Sequence, residues 1–388
     1  MNNKNYLTIL FLFMAFTPFT ATAQYEKYGG VYYAYQAPKV KYTPVPKGYK
    51  PFYISHYGRH GSRWMPKDSR YEWIAAQFAD ESNLTDFGLE VKRRLQPALE
   101  NARGNGGKLT PLGAEQHRQI AGRMFKRYKE IFRQKDLKIS ARSSTSPRCA
   151  ASMNAFCEQL RRLNPALDIT EETDQKYMYY IAYTSPEEEE LERDTVVRCK
   201  VTGERLAKTL YKDPSKQKEQ DKLLSELHTL ASSMQDIPLK DSFWDLFTEE
   251  EIQAVYDMNN TRMRLVNGID PFNHDIPARC AASLWQNIVE TADSVIAVNS
   301  NQGTLPSGGQ GVGCTLRFGH DTCLYHLLSL IGFFNGVPNL MDEILPMGAN
   351  LQIIFYRNAK GHVIVKFLHN EKEVKYNEGH RRCRGCSW

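Results

Sequence analysis

The chain has 388 residues, with charged residues (24%) and hydrophobic residues (41%) in the proportions of an ordinary globular protein. This length predicts one large domain with an insertion, or two domains, with enough apolar material for a core. The formal net charge is +6, from 50 Lys and Arg against 44 Asp and Glu, which suits an anionic small molecule. No basic tract is interleaved with aromatic residues, so nucleic acid is not expected as a partner.

Residues 1–23 have the pattern of a secretory signal peptide. Lys4 precedes an apolar run at 6–19, and the small residues Ala21 and Ala23 stand at the cleavage spacing. The run is short for a membrane span, and no later segment is long and apolar enough to cross a membrane. We therefore predict cleavage after Ala23 and a soluble, periplasmic or secreted protein that is not held in a membrane.

The predicted elements alternate between strands and helices. In chain order they are an arm at 24–50, a strand at 51–54, helices at 70–79, 86–102 and from 111, a strand at 137–141, a helix from 147 to about 163, a helical stretch at about 165–298, a strand at 315–318, a helix from 321, and strands at 351–356 and 363–367. This order predicts an α/β fold with a mostly parallel central sheet flanked by helices. The mature domain would span 24–388, and its helical insertion at about 165–298 would cover the pocket as a cap.

Polar clusters follow three of the predicted strands. Arg59, His60 and Arg63 come after the strand at 51–54, Arg148 lies in the first turn of the helix after 137–141, and His320 and Asp321 come after 315–318. Ligands of α/β proteins bind at the carboxyl ends of the strands. We therefore expect the three clusters to form one pocket.

The residue types in this pocket favour phosphate chemistry. Three arginines and two histidines offer more donors than a single carboxylate could use, whereas a dianionic phosphate can use them all. The glycine-rich stretch at 303–313 is not followed by a GxxxxGK[ST] pattern, so we interpret it as a connector. His60 is then the obvious nucleophile, and Asp321 is placed to protonate the leaving oxygen.

These same residues carry a family resemblance. The sequence from Arg59 to Arg63 resembles the RHGxR signature of the histidine acid phosphatases, His320-Asp321 is similar to their HD pair, and Arg148 with Ser152 is similar to their middle phosphate-binding arginine and its helix. Within that family, RHGSR, the runs 327–332 and 348–351, and the sequence around Arg148 resemble the multiple inositol polyphosphate phosphatases. That subgroup commonly has His-Ala-Glu where this chain has His320-Asp321-Thr322, so the proton donor here would be Asp321.

The resemblance implies a histidine phosphatase-like fold and a two-step reaction. His60 would attack phosphorus to form a phosphohistidine, Asp321 would protonate the leaving oxygen, and water would hydrolyse the intermediate. The groups implied to hold the phosphoryl oxygens are Arg59, Arg63, Arg148 and His320. The expected substrates are inositol polyphosphates such as phytate, and we expect neither a metal nor another cofactor.

Four alternatives stay open at this stage. A broad acid phosphatase would act on sugar phosphates or nucleotides, and phosphoglycerate mutase relatives also use an RHG loop but lack this HD pair. A metallohydrolase would use His60, His320 and Asp321 as ligands, and chelation would stop it. A phosphate-binding protein would release no phosphate from any ester, but Asp321 would weaken phosphate binding unless it carried a proton.

Other polar residues receive structural interpretations. We predict that His56 is a packed histidine, and that Arg142 and Arg317 form ion pairs at least as readily as phosphate contacts. The eight cysteines permit disulfides in an exported protein. Cys149 and Cys157 should not pair with each other, because eight residues of helix separate their Cα atoms by about 12 Å. The basic C-terminus, with its C-x-x-C pair at 383–386, receives no functional assignment.

Overall fold

The computed structural model describes residues 24–134, 137–300, 312–333 and 345–374, and for 298–300 the backbone alone. The predicted signal peptide at 1–23, the C-x-x-C pair and nearly all of the connector at 303–313 lie outside the described residues. The predicted arm begins with a 3-10 helix, Glu26–Tyr32. No helix in the described part of the chain is long and apolar enough to cross a membrane.

One seven-stranded sheet forms the centre of the domain. The strands are β1 Lys50–Arg59, β2 Lys138–Ser143, β3 Asp168–Thr173, β4 Val312–Gly319, β5 Asn350–Arg357, β6 Val363–His369 and β7 Lys372–Val374. Their order is β3-β2-β4-β1-β5-β6-β7. Strands β3, β2, β4 and β1 are parallel to one another. Strand β5 pairs with β1 in antiparallel orientation, and β6 and β7 continue the sheet in antiparallel orientation. The predicted α/β class is confirmed, and the parallel strands carry the three polar clusters.

Helices pack on both faces of this sheet, and further helices form a core beside it. They are α1 Asp68–Gln77, α2 Asp86–Ala102, α3 Pro111–Arg127, α4 Lys129–Phe132, α5 Pro147–Leu163, α6 Met178–Ile181, α7 Pro186–Asp194, α8 Glu204–Leu210, α9 Gln220–Ser233, α10 Glu249–Asn267, α11 Ile276–Cys280, α12 Ala282–Ser300 and α13 Asp321–Leu330. Helix α3 begins as its sequence predicts: the Thr110 hydroxyl accepts a hydrogen bond from Gly113 N at 3.1 Å, and Pro111 takes the first helical position.

Successive apolar residues of β5 lie on opposite faces of the sheet, and both faces are buried. Ile354 packs in a core beneath α3 and α5, whereas Leu351 and Ile353 pack in a second core beneath α12 and α13. A third core holds α1, α2, α8, α9 and α10 together. The sheet is therefore fixed from both sides, and the positions of its strand ends are set by packing.

The predicted helical stretch at 165–298 also contains a strand. Asp168–Thr173 pairs in parallel with β2 and forms the edge of the central sheet. Its sequence, DITEET, is polar and has no buried apolar stripe. The backbone ladder with β2 therefore determines this strand, and the side-chain pattern gives little sign of it.

Candidate active site

Backbone hydrogen bonds tie together the loops that leave three strands. His60 N donates to Gly319 O at 3.0 Å, so the end of β1 is joined to the end of β4. Ser144 N donates to Phe318 O at 2.9 Å, which joins the end of β2 to the same strand. All three predicted clusters thus lie at one edge of the sheet. The motif begins inside the strand, because Arg59 is the last residue of β1.

His60 is buried, and a hydrogen bond orients its ring. Nδ1 lies 2.9 Å from Gly61 O. A carbonyl oxygen can only accept, so Nδ1 carries the proton and Nε2 keeps a free lone pair. Burial lowers the pKa of His60 well below its ordinary value, and the charges of Arg59 and Arg63 lower it further. The imidazole is therefore neutral, which is the form that can act as a nucleophile.

Each of the three arginines of the candidate site has a hydrogen-bond donor without an acceptor among the described residues. Arg59 is fully buried, and its Nη1 donates to Val31 O and to Leu345 O, both at 2.7 Å. Arg63 donates from Nη1 to Trp64 O at 2.9 Å. The buried Nε atoms of Arg59, Arg63 and Arg148 have no hydrogen-bond acceptor among the described residues. An unpaired buried donor is costly, so an anion that accepts hydrogen bonds from these guanidinium groups would remove that cost.

His320 lies beside His60 and is oriented by two partners. Its Nδ1 is 3.4 Å from Nη2 of Arg148, and a guanidinium can only donate, so Nδ1 accepts. The proton is then on Nε2, which lies 3.2 Å from the Ser144 hydroxyl. Burial lowers the pKa of His320 to about 4, and Arg148 contributes to the shift. The centroids of the His60 and His320 rings are 5.8 Å apart, with one ring edge-on to the other.

Asp321 forms an ion pair with the buried arginine of the motif. Its Oδ2 lies 3.0 Å from Nη2 of Arg59, and its side chain is 20% exposed. Burial raises the pKa of Asp321, but the charge of Arg59 and smaller contributions from its other neighbours together outweigh this and hold the pKa below its ordinary value. Asp321 is therefore a carboxylate at neutral pH when no ligand is bound. The six predicted site residues are thus brought together in one place.

The chain around the motif is held by residues that the sequence did not identify as important. Ser62 N donates to Gln116 Oε1 at 2.9 Å, and the Ser62 hydroxyl donates to Asp236 Oδ1 at 2.6 Å. Burial raises the pKa of Asp236 to about 8. Gly61 N donates to the hydroxyl of Ser152, the serine named in the family resemblance, at 3.1 Å. Ser62 and Asp236 are 174 residues apart, so no local motif could have indicated this contact.

The remaining polar predictions lie outside this cluster. His56 is buried between Phe156 and Phe318, and burial lowers its pKa to about 3, which fits the predicted packed histidine. Arg142 pairs with Glu172 at 3.1 Å, as the ion-pair interpretation expects. Arg317 is buried and donates from Nη1 to Ser55 Oγ at 3.0 Å and from Nε to Asn287 Oδ1 at 2.9 Å. Cys149 and Cys157 are both free thiols.

Comparison with known proteins places this arrangement in a family. The model of the histidine phosphatase superfamily (branch 2) matches residues 58–370. A multiple inositol polyphosphate phosphatase from Bifidobacterium longum, solved with inositol hexasulfate, is similar with a TM-score of 0.69 and 18% identity over 91% of this chain and 93% of that one. The comparison with curated protein sequences found no match.

Two phytase structures are also similar. The phytase from D. castellii has a TM-score of 0.62 and 14% identity over 91% of this chain and 80% of that one. The Hafnia alvei phytase in its apo form has a TM-score of 0.51 and 16% identity over 84% of this chain and 86% of that one. At these identities the structures demonstrate a shared fold, and the family model spans most of the chain. The protein therefore belongs to branch 2 of the histidine phosphatase superfamily and is a hydrolase of phosphate monoesters.

Proposed function

We propose that this protein is an exported phosphatase that removes phosphate from inositol polyphosphates through a phosphohistidine at His60. The observation that carries the proposal is the environment of the neutral His60 ring. Its free Nε2 lies among three arginines that each keep a buried Nε without an acceptor in the described residues. Such a set of donors suits a phosphoryl group held beside a nucleophile.

In the first step, Nε2 of His60 attacks phosphorus, the P–O bond to the alcohol breaks, and Asp321 gives its proton to the departing oxygen. Arg59, Arg63, Arg148 and His320 hold the oxygens of the transferred group and stabilise their charge in the transition state. In the second step, water attacks phosphorus and loses a proton to the Asp321 carboxylate. The P–N bond then breaks and restores neutral His60, and Asp321 returns its proton to solvent when inorganic phosphate leaves and Arg59 pairs with the carboxylate again.

The substrate itself would supply the conditions for this proton transfer. In the free protein Asp321 is ionised because Arg59 lies 3.0 Å away. A bound dianionic phosphate would compete for that guanidinium and place negative charge beside the carboxylate, and both effects raise a carboxyl pKa. Asp321 would then be protonated only when there is a leaving group to receive the proton.

An inositol polyphosphate carries phosphates besides the one that is cleaved, and binding them requires positive charge outside the cluster. The segment that follows β3 offers one lysine for this. Lys176 follows β3, its side chain is 60% exposed, and its Nζ lies 3.4 Å from Asp174 Oδ2 in an exposed ion pair, which a phosphate can compete for at little cost. The segment that carries it is joined to the Ser144 loop, because Thr145 N donates to the sulfur of Met178 at 3.3 Å. We expect Lys176 to meet a second phosphate of the substrate. The resemblance of the RHGSR motif and the names of the similar structures support the same substrate class.

The test is phosphate release by the purified mature protein from phytate and from p-nitrophenyl phosphate, at acidic and neutral pH with EDTA present. Faster release from phytate supports the proposal, and Lys176→Ala should slow phytate more than the small ester, whereas the matched control Lys126→Ala on α3 should change neither. Release from the small ester alone would indicate a broad acid phosphatase. Binding of phosphate without any turnover, or loss of activity in EDTA while the protein stays folded, would contradict the proposed chemistry.

Export rests on the sequence of residues 1–23 and has its own test. Expression of the full chain in a bacterium that secretes proteins should give a soluble product outside the cytoplasm whose N-terminus is Gln24. A cytoplasmic product that retains Met1 would contradict the export part of the proposal and would leave the enzymatic part unaffected.

A further inference from the structure

A second cluster of reactive side chains lies away from the proposed active site, among the helices that pack on α13. Glu188 comes from α7, Cys280 is the last residue of α11, and His326 lies inside α13. The three residues are 3%, 4% and 1% exposed. One carboxylate oxygen, the thiol sulfur and one ring nitrogen all lie within 4.8 Å of one another. Carboxylate, thiolate and imidazole are ligands of zinc and related divalent metals.

The acceptor atoms of this cluster outnumber its hydrogen-bond donors. Nε2 of His326 is 2.8 Å from Oε1 of Glu188 and 3.1 Å from Oδ1 of Asn267, and one ring nitrogen can carry only one proton for these two acceptors. The other carboxylate oxygen, Oε2 of Glu188, is buried and has no partner in the described structure. The sulfur of Cys280 is 3.5 Å from the Ser185 hydroxyl. A bound cation would satisfy the excess of electron pairs that the protein's own donors do not.

We propose that Glu188, Cys280 and His326 bind a divalent transition metal of the zinc class. The thiol would lose its proton on binding, and Asn267 Oδ1 or a water molecule would complete a tetrahedral set. Zinc–ligand bonds of about 2.0–2.3 Å place tetrahedral ligands roughly 3.3–3.8 Å apart. Nε2 of His326 and Oε1 of Glu188, now 2.8 Å apart, would therefore separate by about 0.5 Å to admit the ion, and the Cys280 sulfur would adjust to the same spacing.

The position of the cluster indicates what the metal would do. His326 is five residues after Asp321 on the same helix, whereas Glu188 and Cys280 come from two other helices, α7 and α11. A metal would thus fasten these helices to the helix that carries the proposed proton donor. None of the three ligands belongs to the proposed catalytic set, so the metal would stabilise the fold and would not take part in phosphate transfer.

The experiment is a titration of the metal-free full chain with Co²⁺, which reports thiolate ligands through charge-transfer absorption. The Cys383→Ser/Cys386→Ser double variant serves as the background, because a C-x-x-C pair can bind metals independently. We expect one cobalt ion per chain, with a thiolate charge-transfer band and the visible bands of tetrahedral cobalt. Adding Cys280→Ser should abolish the charge-transfer band, whereas adding Cys199→Ser, which changes a thiol packed in another core, should preserve it.

Stability provides a second measurement that does not depend on the cysteine variant. Saturating Zn²⁺ should raise the thermal unfolding midpoint of the background protein by at least about 3 °C, and Glu188→Gln should remove most of this increase. Cobalt binding of less than one ion per chain by background protein that still turns over phosphate ester would overturn the proposal. A charge-transfer band that persists in the Cys280→Ser variant would also overturn it.

Discussion

Replacing Asp321 by Asn separates proton donation from the other roles of this residue. Asn keeps the size of the side chain, and its single oxygen can accept either from Thr322 N, now 3.1 Å from Asp321 Oδ1, or from Arg59, now 3.0 Å from Oδ2, but not from both. It has no proton to give to a leaving alkoxide. General acid catalysis contributes about 10²–10⁴-fold, so we expect a loss of that size in kcat for phytate. We expect a much smaller loss for p-nitrophenyl phosphate, whose leaving group departs readily as an anion.

The same substitution also removes the counter-charge of Arg59. At 3.0 Å the Coulomb attraction is about 5 kcal/mol for an effective dielectric constant near 20. The retained hydrogen bond and the partial exposure of Asp321 reduce the net cost to roughly 1–3 kcal/mol of unfolding free energy. Urea denaturation measures this cost, and Asp293→Asn, the same change at an exposed position on α12, serves as the control. Equal losses of kcat for the two esters, or full activity on phytate, would refute the reasoning.

Three further predictions concern the proposed site and its surroundings. Because the pKa of His60 is lowered well below its ordinary value, kcat/KM measured from pH 7 to 5 should show no decrease from protonation of this ring; a decrease centred near pH 6.5 would contradict its neutral role. Gly61→Ala should impair activity because its Cβ would collide with Gly113 O, whereas Gly122→Ala on α3, whose nearest neighbour is 3.9 Å away, should be tolerated; equal activities would count against the predicted collision. The free energy of unfolding should decrease from pH 6.5 to 5 by roughly 2 kcal/mol per buried histidine, because these rings bind protons in the unfolded chain but not in the folded chain. A stability that does not change with pH would contradict this prediction. The histidines concerned are His56, His117, His228 and His369, with pKa values lowered chiefly by burial to about 3, 3, 4 and 4.

The sequence was sufficient to predict where the polar clusters meet. Each cluster follows an apolar segment that becomes a buried strand, and in a parallel sheet the carboxyl ends of neighbouring strands lie at one edge. The physical basis of this prediction is local, since the apolar residues of a run such as 51–54 have to be buried, and Phe52, Tyr53 and Ile54 are buried. The same reasoning predicted the N-cap Thr110 and the helix that follows it.

The contacts that orient the cluster could not be predicted, because each depends on residues distant in sequence. Arg59 donates to Val31 in the arm and to Leu345 before β5, which are 28 and 286 residues away. The hydrogen bond between Ser62 and Asp236 depends on the packing of α3 and α9 around the motif. Strand β3 escaped prediction for a different reason, since its polar sequence lacks the apolar alternation from which strands are recognised.

The most direct test of the central claim is to trap the intermediate. The protein would be mixed with phytate, quenched within milliseconds in alkali, in which a P–N bond survives, and digested for peptide mass spectrometry. The account predicts one phosphoryl group on the peptide that contains His60, located on that ring and lost when the phosphoenzyme is given time to react with water. A phosphoryl group on any other residue, or turnover of phytate with no phosphorylated peptide at any time point, would contradict it.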